Sequence, residues 1–113
     1  MTDKAKKYLS DIQNAISLIE MFMQNTDNYS DFEIDKKTQS AVERQLSIIG
    51  EAVNKFRQEE ISETLSHTRE IVNFRNRIIH SYDNIDNTIV WTIIKNHLPI
   101  LKDETERFLN PQD

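Results

Sequence analysis

The sequence predicts an all-α fold, a four-helix up-and-down bundle with short connections. Apolar residues recur at three- and four-residue spacing along four separate segments. The 113 residues contain one glycine and two prolines, a composition that suits helices and disfavours a turn-rich β fold. The stripes are separated by short polar stretches of Ser, Thr, Asn, Asp and Glu, as connections should be. This length supports one core, so residues 1–113 are read as one domain.

The first helix is predicted from about Asp3 to Asn25. Leu9, Ile12, Ile16, Ile19 and Met23 form its stripe, widened by Ala5, Tyr8 and Phe22. The run Thr26 to Asp31 is turn chemistry, after which Phe32 and Ile34 are expected to tuck under the bundle. Asp35 is well suited to cap the second helix, expected to reach about Arg57. Its stripe is Val42, Leu46, Ile49, Val53 and Phe56, flanked by Ala41, Ile48 and Ala52. The lone Gly50 sits inside this helix, where glycine costs about 1 kcal/mol relative to alanine. A close approach of a neighbouring helix would explain it. Gln58 to Leu65 reads as a polar connector with Ile61 and Leu65 as anchors, and Ser66 or Thr68 opens the third helix. Asp86 is the expected cap of the last helix, whose apolar side runs through Ile89, Val90, Ile93, Ile94, Leu98, Leu101 and Phe108. Pro99 interrupts that pattern, so a bend near Asn96 is expected.

Several chemistries find no support. There are no cysteines, hence no thiolate metal site or disulfide. His67, His80 and His97 include no pair at metal-ligand spacing on one helix, and no glycine-rich phosphate loop is present. No metal or cofactor is therefore expected. No apolar run approaches membrane-spanning length, and Met1-Thr2-Asp3-Lys4 does not open a signal peptide, so a soluble, cytoplasmic chain with no membrane partner is expected. The net charge of −5 argues against a general nucleic-acid coat but not against a local basic cleft. Residues 69 to 80 oppose the overall sign, with Arg69, Arg75 and Arg77 against the single acid Glu70.

The densest chemistry lies in Phe74-Arg75-Asn76-Arg77-Ile78-Ile79-His80-Ser81-Tyr82-Asp83. Ile71, Phe74, Ile78 and Tyr82 recur at helical spacing and would face the core, leaving Arg75, Asn76, Arg77 and His80 on the remaining faces. An arginine, an amide and a histidine together can hold a phosphate and move a proton. At about 100° per residue Asn76 and His80 share a face, whereas Arg75 and His80 stand about 140° apart. Either the helix loosens near His80, or the pocket forms where two copies meet across a two-fold axis. On the second helix Glu43, Arg44 and Glu51 could be catalytic carboxylates or an ion-pair network with Arg75 or Arg77, and the ion-pair reading is favoured.

Arg75-Asn76-x-x-x-His80-x-Tyr82 resembles the Arg-x-x-x-x-His-x-Tyr signature of HEPN-domain toxins, specifically the HepT-like group encoded beside a minimal nucleotidyltransferase antitoxin. The resemblance extends to Phe32-x-x-Asp35-x-x-Thr38-x-x-Ala41-Val42-x-Arg44 and Ile48-Ile49-Gly50-Glu51-Ala52. It continues through Ile85-Asp86, Trp91-x-x-Ile94 and Leu98-Pro99-x-Leu101. The chain departs from the family before the third helix, where Leu65-Ser66-His67-Thr68-Arg69 replaces a frequent proline and tryptophan.

The resemblance implies a HEPN-type bundle forming a symmetric homodimer, and metal-independent cleavage of an RNA substrate. In that chemistry Arg75 would hold the phosphate oxygens and His80 would transfer protons, since imidazole ordinarily titrates near neutrality. Asn76 would orient His80 or the phosphate, with Arg77 in support. It further implies a toxin silenced by a cognate nucleotidyltransferase that attaches AMP to Tyr82. Two other readings stay open: a nucleotide- or RNA-binding dimer that does not cut, and a purely structural partner of the nucleotidyltransferase. In the first the motif holds a nucleotide or an RNA end, and in the second Arg75 and His80 serve the interface. Residue by residue, the plainer alternative makes Tyr82 a core or interface residue, His80 a helix cap and Arg75 the partner of a carboxylate.

Overall fold

In the computed structural model, residues 1–59, 61–80, 83 and 85–111 are described. Each of the four apolar stripes becomes a long helix. They are α1 (Asp3–Phe22), α3 (Lys36–Arg57), α4 (Thr68–His80) and a composite last helix. That last helix comprises α5 (Asn87–Thr92), a π-helical turn (Ile93–His97) and α6 (Leu98–Leu109). Neighbouring helices run in opposite directions: Glu20 near the end of α1 meets Lys102, while Gln13 earlier in α1 meets Glu106 further along α6. α3 packs against both α1 and α4, and α6 against α1. The core holds Leu9, Ile12, Ile16 and Ile19 of α1, Val42, Leu46, Ile49, Val53 and Phe56 of α3, and Ile71 and Phe74 of α4. Val90, Ile93, Leu98 and Leu101 complete it from the last helix. Among the described residues no helix is long and apolar enough to cross a membrane.

The turn expected after α1 is partly helical. α1 ends at Phe22, and a six-residue helix α2 (Tyr29–Ile34) follows, capped by the Asn28 side chain accepting from the Asp31 N–H at 3.0 Å. Phe32 is fully buried as expected, but Ile34 is 78% exposed. Two residues along a helix is a rotation of about 200°, so both cannot face the core once the segment is helical. Two tertiary contacts hold α2 in place. Trp91 packs on Tyr29 edge-on and on Phe32 at a tilt, each with centroids 5.8 Å apart. The buried Gln39 amide donates to the carbonyls of Phe32, which also accepts from the Asp35 N–H, and Glu33 at the end of this short helix. Asp35 caps α3 as expected, accepting from the Thr38 N–H and hydroxyl, and these bonds hold its carboxyl below the usual range.

Gly50 is explained by α4. A Cβ built there would lie 2.3 Å from Arg75 Cβ and 3.3 Å from the Ile71 carbonyl oxygen. Here the second helix gives up a side chain so that the third can approach. Ile48, expected to flank the core, is instead 36% exposed on the side of α3 that looks out beside α4.

Pro99 has no N–H to donate, so the helix ahead of it widens into the π turn, with the Leu98 N–H reaching Ile93 O. Asn96, near which a bend is expected, lies within this turn. At its end His97 stacks on His67, centroids 4.4 Å apart and planes within 11°. His67 lies at φ 59°, the left-handed region, and directly precedes α4. Beside it Ser66 donates its N–H (2.9 Å) and hydroxyl (2.6 Å) to the buried Glu104 carboxylate. With Leu65 buried, these contacts tie the start of α4 to the last helix.

Two predictions follow from this packing. Gly50→Ala gains about 1 kcal/mol of helix propensity but overpacks the α3–α4 contact, which costs about 1–3 kcal/mol. The atom it meets is a Cβ and cannot swing aside, so urea denaturation should show a net loss of stability; an unchanged or raised midpoint would contradict the close-approach account. The second concerns pH. Burial first, and the neighbouring His67 second, depress the His97 pKa, with Glu70 pulling weakly the other way. The folded state then binds the proton less readily than the unfolded chain, so stability from this group is complete above about pH 6.5. It declines as pH falls towards the lowered folded pKa. His97→Gln should flatten the stability–pH curve in that window, and a curve of wild-type steepness would refute the assignment.

Candidate functional site

Arg75 leaves α4 at its contact with Gly50, so its stem lies against α3 and its guanidinium emerges at the edge of the helix pair. One terminal nitrogen, Nη1, donates to Asn76 Oδ1 at 3.0 Å. The other, Nη2, stands 3.6 Å from Glu51 Oε2. Nε is buried and has no hydrogen-bond partner among the described residues. A buried donor left unpaired is costly, and none of the described residues supplies its acceptor.

The Glu51 contact is not a strong tether. Glu51 sits closer to Lys55, at 3.1 Å, and Lys55 is the main reason its carboxyl is held below the usual range, with Arg75 a lesser one. Glu51 is half exposed, and a solvent-screened pair of this kind contributes about 0–1 kcal/mol. An oxyanion that fits a planar guanidinium can displace it. The ion-pair reading of Glu51 is thus what the structure shows, and it leaves Arg75 available.

Arg75 opens into a groove of about 520 Å³ between α3 and α4. One wall is a face of α3 at helical spacing: Ser40, Glu43 and Arg44, Ser47 and Ile48, then Glu51. Ile78 and Ile79 form the other with Arg75. Glu43, Arg44 and Glu51 were indistinguishable by sequence, and the structure separates them. Among the described residues Glu51 has salt bridges and Glu43 and Arg44 have none. Burial pushes the Glu43 carboxyl up, opposed only weakly by Lys36. The four-residue periodicity of these polar side chains was visible in the sequence, but not which side of α3 it occupied.

His80 ends α4 and is exposed; it does not line this groove, in keeping with the angular separation from Arg75. Asn76, which accepts from Arg75 Nη1, lies one turn before His80. Arg77 is exposed, near enough to Asp86 to help its carboxyl ionise, although the Thr88 hydroxyl and N–H dominate that effect. Tyr82 lies outside the described residues. Ile48 and Ile79, 36% and 48% exposed, place apolar surface on the groove's walls.

Comparison with known proteins identifies the family. Residues 12–108 match the family model described as "Ribonuclease HepT-like". The chain is 41% identical over 108 residues to "Probable ribonuclease HepT" of Thermococcus cleftensis, covering 90% of this chain and 93% of that one. It is 34% identical over 106 residues to "Putative RNase MJ1216" of Methanocaldococcus jannaschii, covering 92% and 86% respectively. No solved structure matches the chain with significance. With a family model spanning most of the sequence and relatives of similar length, this chain belongs to the HepT-like ribonuclease family.

Proposed function

We propose that this chain is a metal-independent endoribonuclease that acts as the toxin of a toxin–antitoxin pair. The observation that carries the catalytic part is the Arg75 guanidinium, seated by Gly50 at the groove's edge with a buried Nε that has no partner among the described residues. The proposed reaction is attack of an RNA 2′-hydroxyl on the adjacent phosphorus. The P–O5′ bond breaks, leaving a 2′,3′-cyclic phosphate and a 5′-hydroxyl. Arg75 stabilises the charge that builds on the non-bridging oxygens. His80 takes the 2′-hydroxyl proton, and a second imidazole returns one to the leaving 5′-oxygen.

The second imidazole comes from a second copy. In one chain Arg75 and His80 lie on different faces of α4, so a two-fold dimer that brings a second α4 to the rim of the groove, leaving the groove open to RNA, supplies what a single subunit lacks. The exposed Ile48 and Ile79 offer apolar contact for such a partner. The antitoxin partner is a minimal nucleotidyltransferase that attaches AMP to Tyr82, two residues beyond His80. The motif spacing and the family support this assignment. Phosphates added there would compete with RNA for Arg75 and Arg77.

Arg75→Ala and His80→Ala should each lower RNA cleavage by about 100-fold or more, the scale of losing an oxyanion donor or a proton-transfer group. Helical circular dichroism should be unchanged, since neither residue is in the core. EDTA should not stop the wild-type reaction, and products should carry cyclic phosphate ends. A folded His80→Ala protein that cuts RNA, or arrests growth, as wild type does would remove His80 from the mechanism.

For the regulatory part, intact-mass analysis after incubation with the cognate nucleotidyltransferase and ATP should show added AMP on wild type and none on Tyr82→Phe. Equal modification of both would place the acceptor elsewhere.

A further inference from the structure

The groove beside Arg75 has more in it than phosphate chemistry requires. Glu43 is a half-buried carboxylate with no salt-bridge partner among the described residues. Arg44, its neighbour on the same wall, also has none and remains exposed. Ile78 of α4, partly buried against the core, forms an apolar surface on the other wall. At about 520 Å³ the groove is in the size range of small-ligand sites, about 300–1,000 Å³.

We infer that this groove is a nucleobase subsite for guanine, read by the Glu43 carboxylate, with Arg44 holding the adjoining phosphate. The inference rests on the ribonuclease reading above and deepens it. A partly desolvated carboxylate needs donors, and among the described residues Glu43 makes no side-chain hydrogen bond or salt bridge, although Ser40, Ser47 and Arg44 line the same wall. Guanine alone among the four RNA bases presents two adjacent donors, N1–H and the 2-amino group, on its Watson–Crick edge. A carboxylate accepts both in the parallel geometry it uses for other two-pronged donors. Adenine and cytosine place a ring nitrogen acceptor beside their amino group, and uracil offers one N–H between two carbonyls. Each of these would set an acceptor against the carboxylate. Burial of Glu43, which raises its pKa, sharpens this discrimination, because a mismatched edge leaves the carboxylate unpaired away from water. The base's flat face can rest on Ile78, as unstacked single-stranded bases do on side chains. Arg44 and Arg75 then bracket the backbone on either side of this base.

The test measures binding of GMP, AMP, CMP and UMP to the full chain by NMR titration. Cleavage of oligonucleotides with a single guanine at varied positions is followed in parallel. Wild type should favour GMP by about tenfold or more, the scale of one two-pronged base contact. Cleavage should track the position of the guanine. Glu43→Gln pairs a carbonyl and an amino group, which suits adenine and cytosine, so the preference should pass from GMP to AMP and CMP. Arg44→Ala should weaken all four nucleotides alike and reduce the salt dependence of binding. The inference is overturned if wild type binds no nucleotide, or binds the four within twofold of one another. It is also overturned if folded Glu43→Gln still prefers GMP. RNA cutting without any guanine preference would sink this inference and leave the ribonuclease reading standing. GMP preference in a protein that cuts no RNA would do the reverse.

Discussion

The contact between Gly50 and Arg75 is the constraint on which this protein's candidate site depends. Helices packed through ordinary side chains keep their axes about 8–10 Å apart. With no Cβ at Gly50, the stem of Arg75 occupies the space where a side chain of α3 would be. The guanidinium therefore emerges at the helix edge with its Nε buried and its terminal nitrogens spread between Glu51 and Asn76. An arginine on a freely solvated face would keep all its donors hydrated. This one is partly dehydrated, at 25% exposure, and less is lost when it exchanges its remaining water for an anion.

The rest of the bundle supports that contact from a distance. α3 is held at its start by Asp35 and Gln39, and along its length by the apolar stripe shared with α1. α4 is shorter; it packs along α3, and its starting end is tied to the last helix. There Ser66 is held by the Glu104 carboxylate and His67 by stacking on His97, and Leu65 is buried. The left-handed His67 is a local strain that these three contacts offset. A carboxylate, a serine and two stacked imidazoles thus hold the start of α4.

The composite last helix shows how one residue can position a distant one. Pro99 removes a backbone donor, the turn before it widens to five residues, and His97 comes to stack on His67. The same helix sends Trp91 against Tyr29 and Phe32, fixing the short α2 that the turn-like composition of residues 26–31 concealed.

How much was legible in the sequence divides along the range of the interactions involved. Local pattern determined the four long helices, the Asp35 and Asp86 caps and nearly all of the core, because helical periodicity and capping act within a few residues. It also marked Gly50 as a place of close approach, since glycine inside a helix is unfavourable without such a reason. The spacing of Arg75 and His80 already implied that one straight helix holds them on different faces, and they are so placed. Only tertiary structure decided which atom Gly50 makes room for and that Glu51 leans more on Lys55 than on Arg75. It alone showed that Glu43 and Arg44 share a groove with the motif arginine, and that Ile34 and Ile48 turn outward. These depend on how one helix is rotated against its neighbour. That rotation is set by packing summed over residues far apart in the chain, which no local spacing encodes.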